Sequence, residues 1–121
     1  MFPFGSIVLT RFPFTDLSGD KRRPALVVSR DNDRRPDLVV CFITSVPRMG
    51  PDTAPIAATK ETGLKVPSVV RFDKLATLDR SVVVGRIGAA PADWLAAGRI
   101  VDRVGAHGRK VGHSFSKGLV D

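Results

Sequence analysis

The sequence predicts a mainly β protein, a small antiparallel barrel or strongly curved sheet with one C-terminal α-helix. Three observations carry this reading. Short stretches rich in Val, Ile, Phe and Thr recur at close spacing; Pro, Gly, Asp and Ser punctuate them; and helical periodicity shows once, late, after Pro91. Short strands with a single late helix fit a curled sheet better than alternating α/β layers.

The elements follow in order. Ile7 to Phe12 is β-rich and partly alternating, a strand. Pro13 to Lys21, with Asp16, Ser18, Gly19 and Asp20, is a long polar hairpin connection. Pro24 to Ser29 is a second strand, its proline tolerated at the first position because that residue need not donate to the ladder. Arg30 to Asp37 is a charged turn. Leu38 to Ser45 is continuously apolar up to Ile43, as expected of a strand buried on both faces. A proline-rich loop spans Val46 to Pro55, a weak strand Ile56 to Thr59, and a further loop Glu61 to Pro67. Ser68 to Phe72 and Ser81 to Ile87 read as strands.

Pro91 opens the helix, since proline suits the first helical position. Trp94, Leu95, Ala97, Val101 and Val104 make one apolar stripe, and Gly105 or Gly108 ends the helix. Trp94 reads as core packing. The segment from His107 to Asp121 holds three glycines and little periodicity, so it reads as a frayed, basic tail. One domain over residues 1–108 and a tail over 109–121 are expected.

A chain of 121 residues with 43% hydrophobic and 26% charged content can bury a core without disulfide or metal staples. The single cysteine, Cys41, lies in an apolar run and reads as a buried thiol, in keeping with a reducing cytoplasm. No signal peptide is expected at the start, and no apolar run approaches the ~20 residues needed to span a bilayer. The net charge is +7, with 13 Arg and 6 Lys against 12 acids. Guanidinium forks match phosphate oxygens and stack on bases, so this balance favours a polyanionic partner.

Several chemistries are excluded. The two histidines, His107 and His113, follow the last strand, and there is no cysteine pair, no HExxH and no zinc-ligand cluster. The acids are scattered, which disfavours a two-metal nuclease. Gly85-Arg86-Ile87-Gly88 lacks the spacing of a phosphate loop. No metal or cofactor is expected. Arginine, lysine and hydroxyl chemistry remains. It suffices for RNA, whose 2′-OH can attack the adjacent phosphorus once geometry and charge are arranged. The proton transfers at the 2′- and 5′-oxygens must also be served. A guanidinium is a poor base but stabilises charge and can deliver a proton to a basic leaving alkoxide.

Four blocks now become specific. Gly5-Ser6-Ile7-Val8 through Phe12-Pro13 leads into Lys21-Arg22-Arg23-Pro24-Ala25-Leu26-Val27. Phe42-Ile43-Thr44-Ser45 comes next, then Gly63-Leu64-Lys65-Val66-Pro67-Ser68. Asp73-Lys74-Leu75, Thr77-Leu78-Asp79 and Arg86-Ile87-Gly88 complete the series. In this order they resemble the MazF/PemK toxins of bacterial toxin–antitoxin pairs over about residues 5 to 88, and the helix after Pro91 fits that family's last helix. The resemblance implies an SH3-like barrel of MazF/PemK/CcdB type, a homodimer with an RNA groove at its interface, and metal-independent cleavage of single-stranded RNA at short sequences. The expected ends are a 2′,3′-cyclic phosphate and a 5′-hydroxyl. It also implies an antitoxin whose disordered C-terminal segment folds along the toxin, with DNA met only through that antitoxin.

Carried over residue by residue, the resemblance gives Arg23 proton transfer and phosphorane stabilisation, and gives the Thr44 hydroxyl a phosphate oxygen to hold. Ser45 assists, Lys21 contacts phosphate, Asp73 and Lys74 line the site and read a base edge, and Phe14 stacks on a base. On chemistry alone, Arg23 reads as a surface arginine beside a turn, Thr44 as an ordinary strand threonine, Phe14 as a plug for the barrel end, and Asp73 as the partner of a nearby arginine. Two positions depart from the pattern. Ser6 stands where Asp is common, and Ala76 stands where many relatives carry arginine. Two other functions stay open: a basic barrel that binds nucleic acid or protein without cutting, and a gyrase poison. The tail lacks the Trp-Gly-Ile ending that the latter expects.

Overall fold

Alternation along each apolar stretch decides how the chain layers. In the computed structural model of the protein, which describes residues 2–11, 22–29, 36–47, 50–100 and 103–104, six strands form one antiparallel sheet. They are β1 (Ser6–Arg11), β2 (Arg22–Val27), β3 (Asp37–Thr44), β4 (Thr53–Ile56), β5 (Ser68–Asp79) and β6 (Val83–Ala89). The spatial order is β4-β5-β3-β2-β1-β6, followed in the chain by a short helix, α1 (Ala92–Ala97). The fold is thus mostly β with a short late helix, as the sequence predicts. Among the described residues β4 and β6 do not pair, so the barrel-type sheet stays open.

Successive strand residues point to opposite faces, and here both faces are covered. Ile7, Leu26, Cys41, Ile43, Val70 and Phe72 join one cluster, against which Trp94 and Leu95 of α1 pack. Val8, Ala25, Val27, Leu38, Val40, Ala76 and Leu78 form the second, with Phe42 packed against it. This double burial explains the unbroken apolar run of β3, and Cys41 is a fully buried thiol within it.

The structure moves several boundaries. β2 begins at Arg22, not Pro24, so two arginines are strand residues. β4 lies three residues earlier than the weak strand expected from the sequence. β5 continues past Phe72 to Asp79, because Asp73 and Lys74 sit on a bend of the strand and do not end it. At that bend Cys41 faces Leu75 and Ile43 faces Val70, so residues 71–74 lie opposite the single residue Phe42. A bulge of this kind bends the strand and re-aims its side chains.

The helix is shorter than its apolar stripe. Pro91 is the cap before Ala92, and the helix stops at Gly98. Arg99 then takes φ 50, and helical hydrogen bonding resumes with Arg103 N–H donating to the Arg99 carbonyl at 3.0 Å. The break still lets Ile100 and Val104 reach the first cluster. Gly105, Gly108 and the 109–121 segment lie outside the described residues.

The β4 edge is covered from the C-terminal side. Trp94 Nε1 donates to the Pro55 carbonyl at 2.8 Å, which satisfies the indole inside its packing site. Arg103 Nη2 donates to the carbonyls of Pro51 and Thr53 at 2.8 and 3.0 Å, and its guanidinium lies 4.4 Å from the Phe72 ring centroid. At the other side, the 57–67 loop lies across β6. Ala89 N–H donates to the Glu61 carbonyl at 2.8 Å, and a Cβ at Gly63 (φ +73) would collide with the Ile87 carbonyl. Gly88 meets the carbonyls of Glu61 and Thr62 in the same way. The motif glycines therefore mark a backbone-on-backbone contact.

Candidate functional site

The face that carries the second cluster changes character at one end. Val8 pairs with Ala25 and Ala25 with Phe42, an apolar row across β1, β2 and β3. Two residues further along, on the same face, Thr10 pairs with Arg23. Arg23 and Thr44 each stand two residues past the last β2–β3 pair, Ala25 and Phe42, and Thr44 pairs with Val69 of β5. A polar row thus follows the apolar one, with Arg23 and Thr44 on neighbouring strands.

Pro24 shapes this row. It has no N–H to give to a ladder, and the paired residues of β2 and β3 end at Ala25 and Phe42. Arg23 and Thr44 lie beyond the last rung. Arg23 is held from the β1 side, where its carbonyl accepts the Thr10 hydroxyl at 2.9 Å. Its side chain is half-buried, and among the described residues no carboxylate pairs with it. Thr44 is also half-buried. Its Oγ1 accepts the Val46 N–H at 3.1 Å in a turn that ends β3. With a lone pair so engaged, the hydroxyl hydrogen remains to donate. One cation and one hydroxyl donor on adjacent strands suit an anionic oxygen.

Asp73 and Lys74 stand at the β5 bend. Asp73 accepts from Arg71, Nε to Oδ1 at 3.0 Å and Nη2 to Oδ2, so the alternative of an arginine partner for Asp73 is realised within its own strand. Lys74 is exposed, as is Ser45. Burial first, and the charge of Asp73 second, push the Cys41 thiol far above its ordinary value, which makes it an inert core residue. Lys21 and Phe14 lie outside the described residues. Arg71 and Thr10 were not singled out in the sequence. The signal for Arg71 was its i, i+2 spacing from Asp73, which puts both on one face of a strand. Thr10 offered none beyond a polar residue in an apolar strand.

Both departures fall in the interior. Ala76 is buried in the second cluster opposite Val40, so that position faces core, not solvent. Ser6 is buried, and its Oγ has no hydrogen-bond partner. Ser68 Oγ donates to the Val66 carbonyl at 2.9 Å across Pro67, at the entry to β5. Among the described residues no group of His, Cys, Asp or Glu clusters to hold a metal ion, and no helix is long and apolar enough to cross a membrane.

A family model described as PemK-like, MazF-like toxin of type II toxin-antitoxin system matches residues 4–97. A MazE–MazF crystal structure from Deinococcus radiodurans is similar at 30% identity, with 93% of this chain and 96% of that one covered and a TM-score of 0.65. The Mycobacterium tuberculosis toxin MazF-mt6 shares the fold at 24% identity, covering 90% and 98%, TM-score 0.66. An endoribonuclease in complex with its cognate antitoxin, from a mycobacterial species, shares it at 18% identity, covering 94% and 98%, TM-score 0.65. No curated protein matches the chain significantly.

Proposed function

Because the chain belongs to the PemK-like, MazF-like toxins of type II toxin–antitoxin systems, a family of endoribonuclease toxins, we propose that it cleaves single-stranded RNA at short sequences without a metal ion. The observation that supports this is that Arg23, paired with Thr10, and Thr44 lie on the adjacent strands β2 and β3, each two residues past the last rung between them. The 2′-oxygen attacks phosphorus, the bond to the 5′-oxygen breaks, and the 2′ proton passes to solvent, from which Arg23 regains the proton it gives to the 5′-oxygen. The products are a 2′,3′-cyclic phosphate and a 5′-hydroxyl, with no water consumed. Arg23 stabilises the phosphorane and supplies a proton to the departing 5′-oxygen. Thr44 donates to a non-bridging oxygen. Ser45, Asp73, Lys74, Lys21 and Phe14 bind the strand around the cut.

A cognate antitoxin is the proposed protein partner, in line with the MazE–MazF and endoribonuclease–antitoxin complexes among the similar structures. A homodimer acting in the cytoplasm completes the proposal. The test is incubation of the purified protein with a long unstructured RNA in excess EDTA, followed by end-group analysis. New 5′-hydroxyl ends are expected, and Arg23→Ala and Thr44→Ala should each abolish them with the fold intact. Binding without new ends identifies a non-catalytic barrel instead. Activity that vanishes on chelation and returns with magnesium overturns the metal-free mechanism.

A further inference from the structure

Proline at position 24 gives Arg23 an unusual support. In an antiparallel sheet both backbone groups of a residue face the same neighbour, and an interior strand is held on two sides because successive residues alternate between its neighbours. Here the pairing toward β3 stops at Ala25, so residue 23 is registered from β1 alone, through Thr10 and, one residue on, through Arg11 against Arg22. Among the described residues, the side-chain bond to the Arg23 backbone is that of Thr10, whose Oγ1 donates to its carbonyl at 2.9 Å. Thr10 itself is fully buried and follows Val8 of the second cluster along the same face. A buried hydroxyl without a partner is costly, so this one is fixed to the carbonyl in a single geometry. A β-branched side chain adds stiffness at χ1.

We propose that Thr10 is a positioning residue for Arg23. It ties the strand segment carrying the guanidinium to the rigid core and sets its height above the end of β3. The inference rests on the reading of Arg23 as the charge that meets the scissile phosphate. Thr10 touches no substrate; it acts through the Arg23 backbone. A small displacement of a charged group at a reacting phosphorus lowers the chemical step much more than it lowers binding.

The experiment uses the full chain and a short single-stranded RNA containing one mapped cut. Rates are measured for wild type, Thr10→Val, Thr10→Ser and Arg23→Ala. Thr10→Val keeps shape and removes the donor. It should lower kcat by about tenfold or more, with KM changed by less than about twofold. Thr10→Ser, which restores the hydroxyl but not the branch, should recover most of the loss. Should the valine chain not fold, Thr10→Cys, which keeps a weak donor in nearly the same volume, should show a lowered kcat at unchanged KM. A wild-type kcat in the folded valine or cysteine variant, beside an inactive Arg23→Ala, overturns the positioning role and leaves the function standing. So does a serine variant as impaired as the valine one. An active Arg23→Ala overturns the reading of Arg23 itself.

Discussion

Two N–H groups of Arg71 grip the carboxylate of Asp73 across one intervening residue, Nε reaching Oδ1 at 3.0 Å and Nη2 reaching Oδ2. The pair staples the bend at which residues 71–74 lie opposite Phe42. Its side chains are 18% and 29% exposed, so water screens the pair only in part. Asp73→Asn should therefore cost about 1 kcal/mol in urea unfolding, the upper end for an ion pair near the surface. The same variant should change which bases flank the cut, read by mapping 5′ ends on one long RNA. An unchanged map would remove Asp73 from recognition.

Thr44 separates its two hydrogen-bonding roles. The oxygen accepts from Val46 at an exposed turn, and the proposed role in cleavage uses the hydrogen. Thr44→Ser keeps both roles and should stay within about tenfold of wild-type kcat, whereas Thr44→Val should lose about 10²–10³, the scale for one donor on a developing oxyanion. Equal rates for the two variants would dismiss the hydroxyl.

The buried thiol of Cys41 makes stability fall in alkali. Its folded value lies far above its unfolded one, through burial and then the charge of Asp73. The neutral thiol therefore stabilises the fold fully below the unfolded value and progressively less as pH rises toward the folded one. Above about pH 8.5 the wild type should lose about 1.4 kcal/mol per pH unit relative to Cys41→Ala. The chain has no tyrosine, so no phenol titrates alongside the thiol. In the native protein the thiol should resist a thiol reagent at pH 8 and react only on unfolding. Rapid native labelling would contradict its burial.

Gly63 holds φ +73 with the Ile87 carbonyl where a Cβ would stand, while Gly85 has nothing within 4 Å of that position. Gly63→Ala should destabilise by about 2–4 kcal/mol through left-handed strain and overpacking. Gly85→Ala should change stability by under about 0.5 kcal/mol. Similar urea midpoints for the two variants would refute the close contact between the loop and β6.

Much of the fold was legible because alternation and turn residues act locally. β1 and β3 fall within one residue of their expected bounds, and the apolar run of β3 did signify burial on two faces. The misses are long-range. Pro24 reads as a strand start, yet pairing with β1 through Arg11 and Arg22 extends β2 before it. Asp73 and Lys74 read as a strand end, yet β3 continues beside Leu75 to Asp79 and carries β5 with it. The helical stripe hid a break, because Gly98 and Arg99 turn the chain while Ile100 still returns to the same core. Arg23 and Thr44 of the candidate site stand in motifs that the sequence displays. The Thr10 tie stands in none, because it depends on cross-strand register.

The latch at β4 has a consequence for shortened chains. Arg103 and Trp94 occupy the outward carbonyls of Pro51, Thr53 and Pro55, which would otherwise offer a template for strand addition. A chain cut after Gly98 keeps the tryptophan and loses the guanidinium. Its uncovered acceptors should recruit further molecules, so that light scattering of the truncated chain rises with concentration while the full chain stays clear.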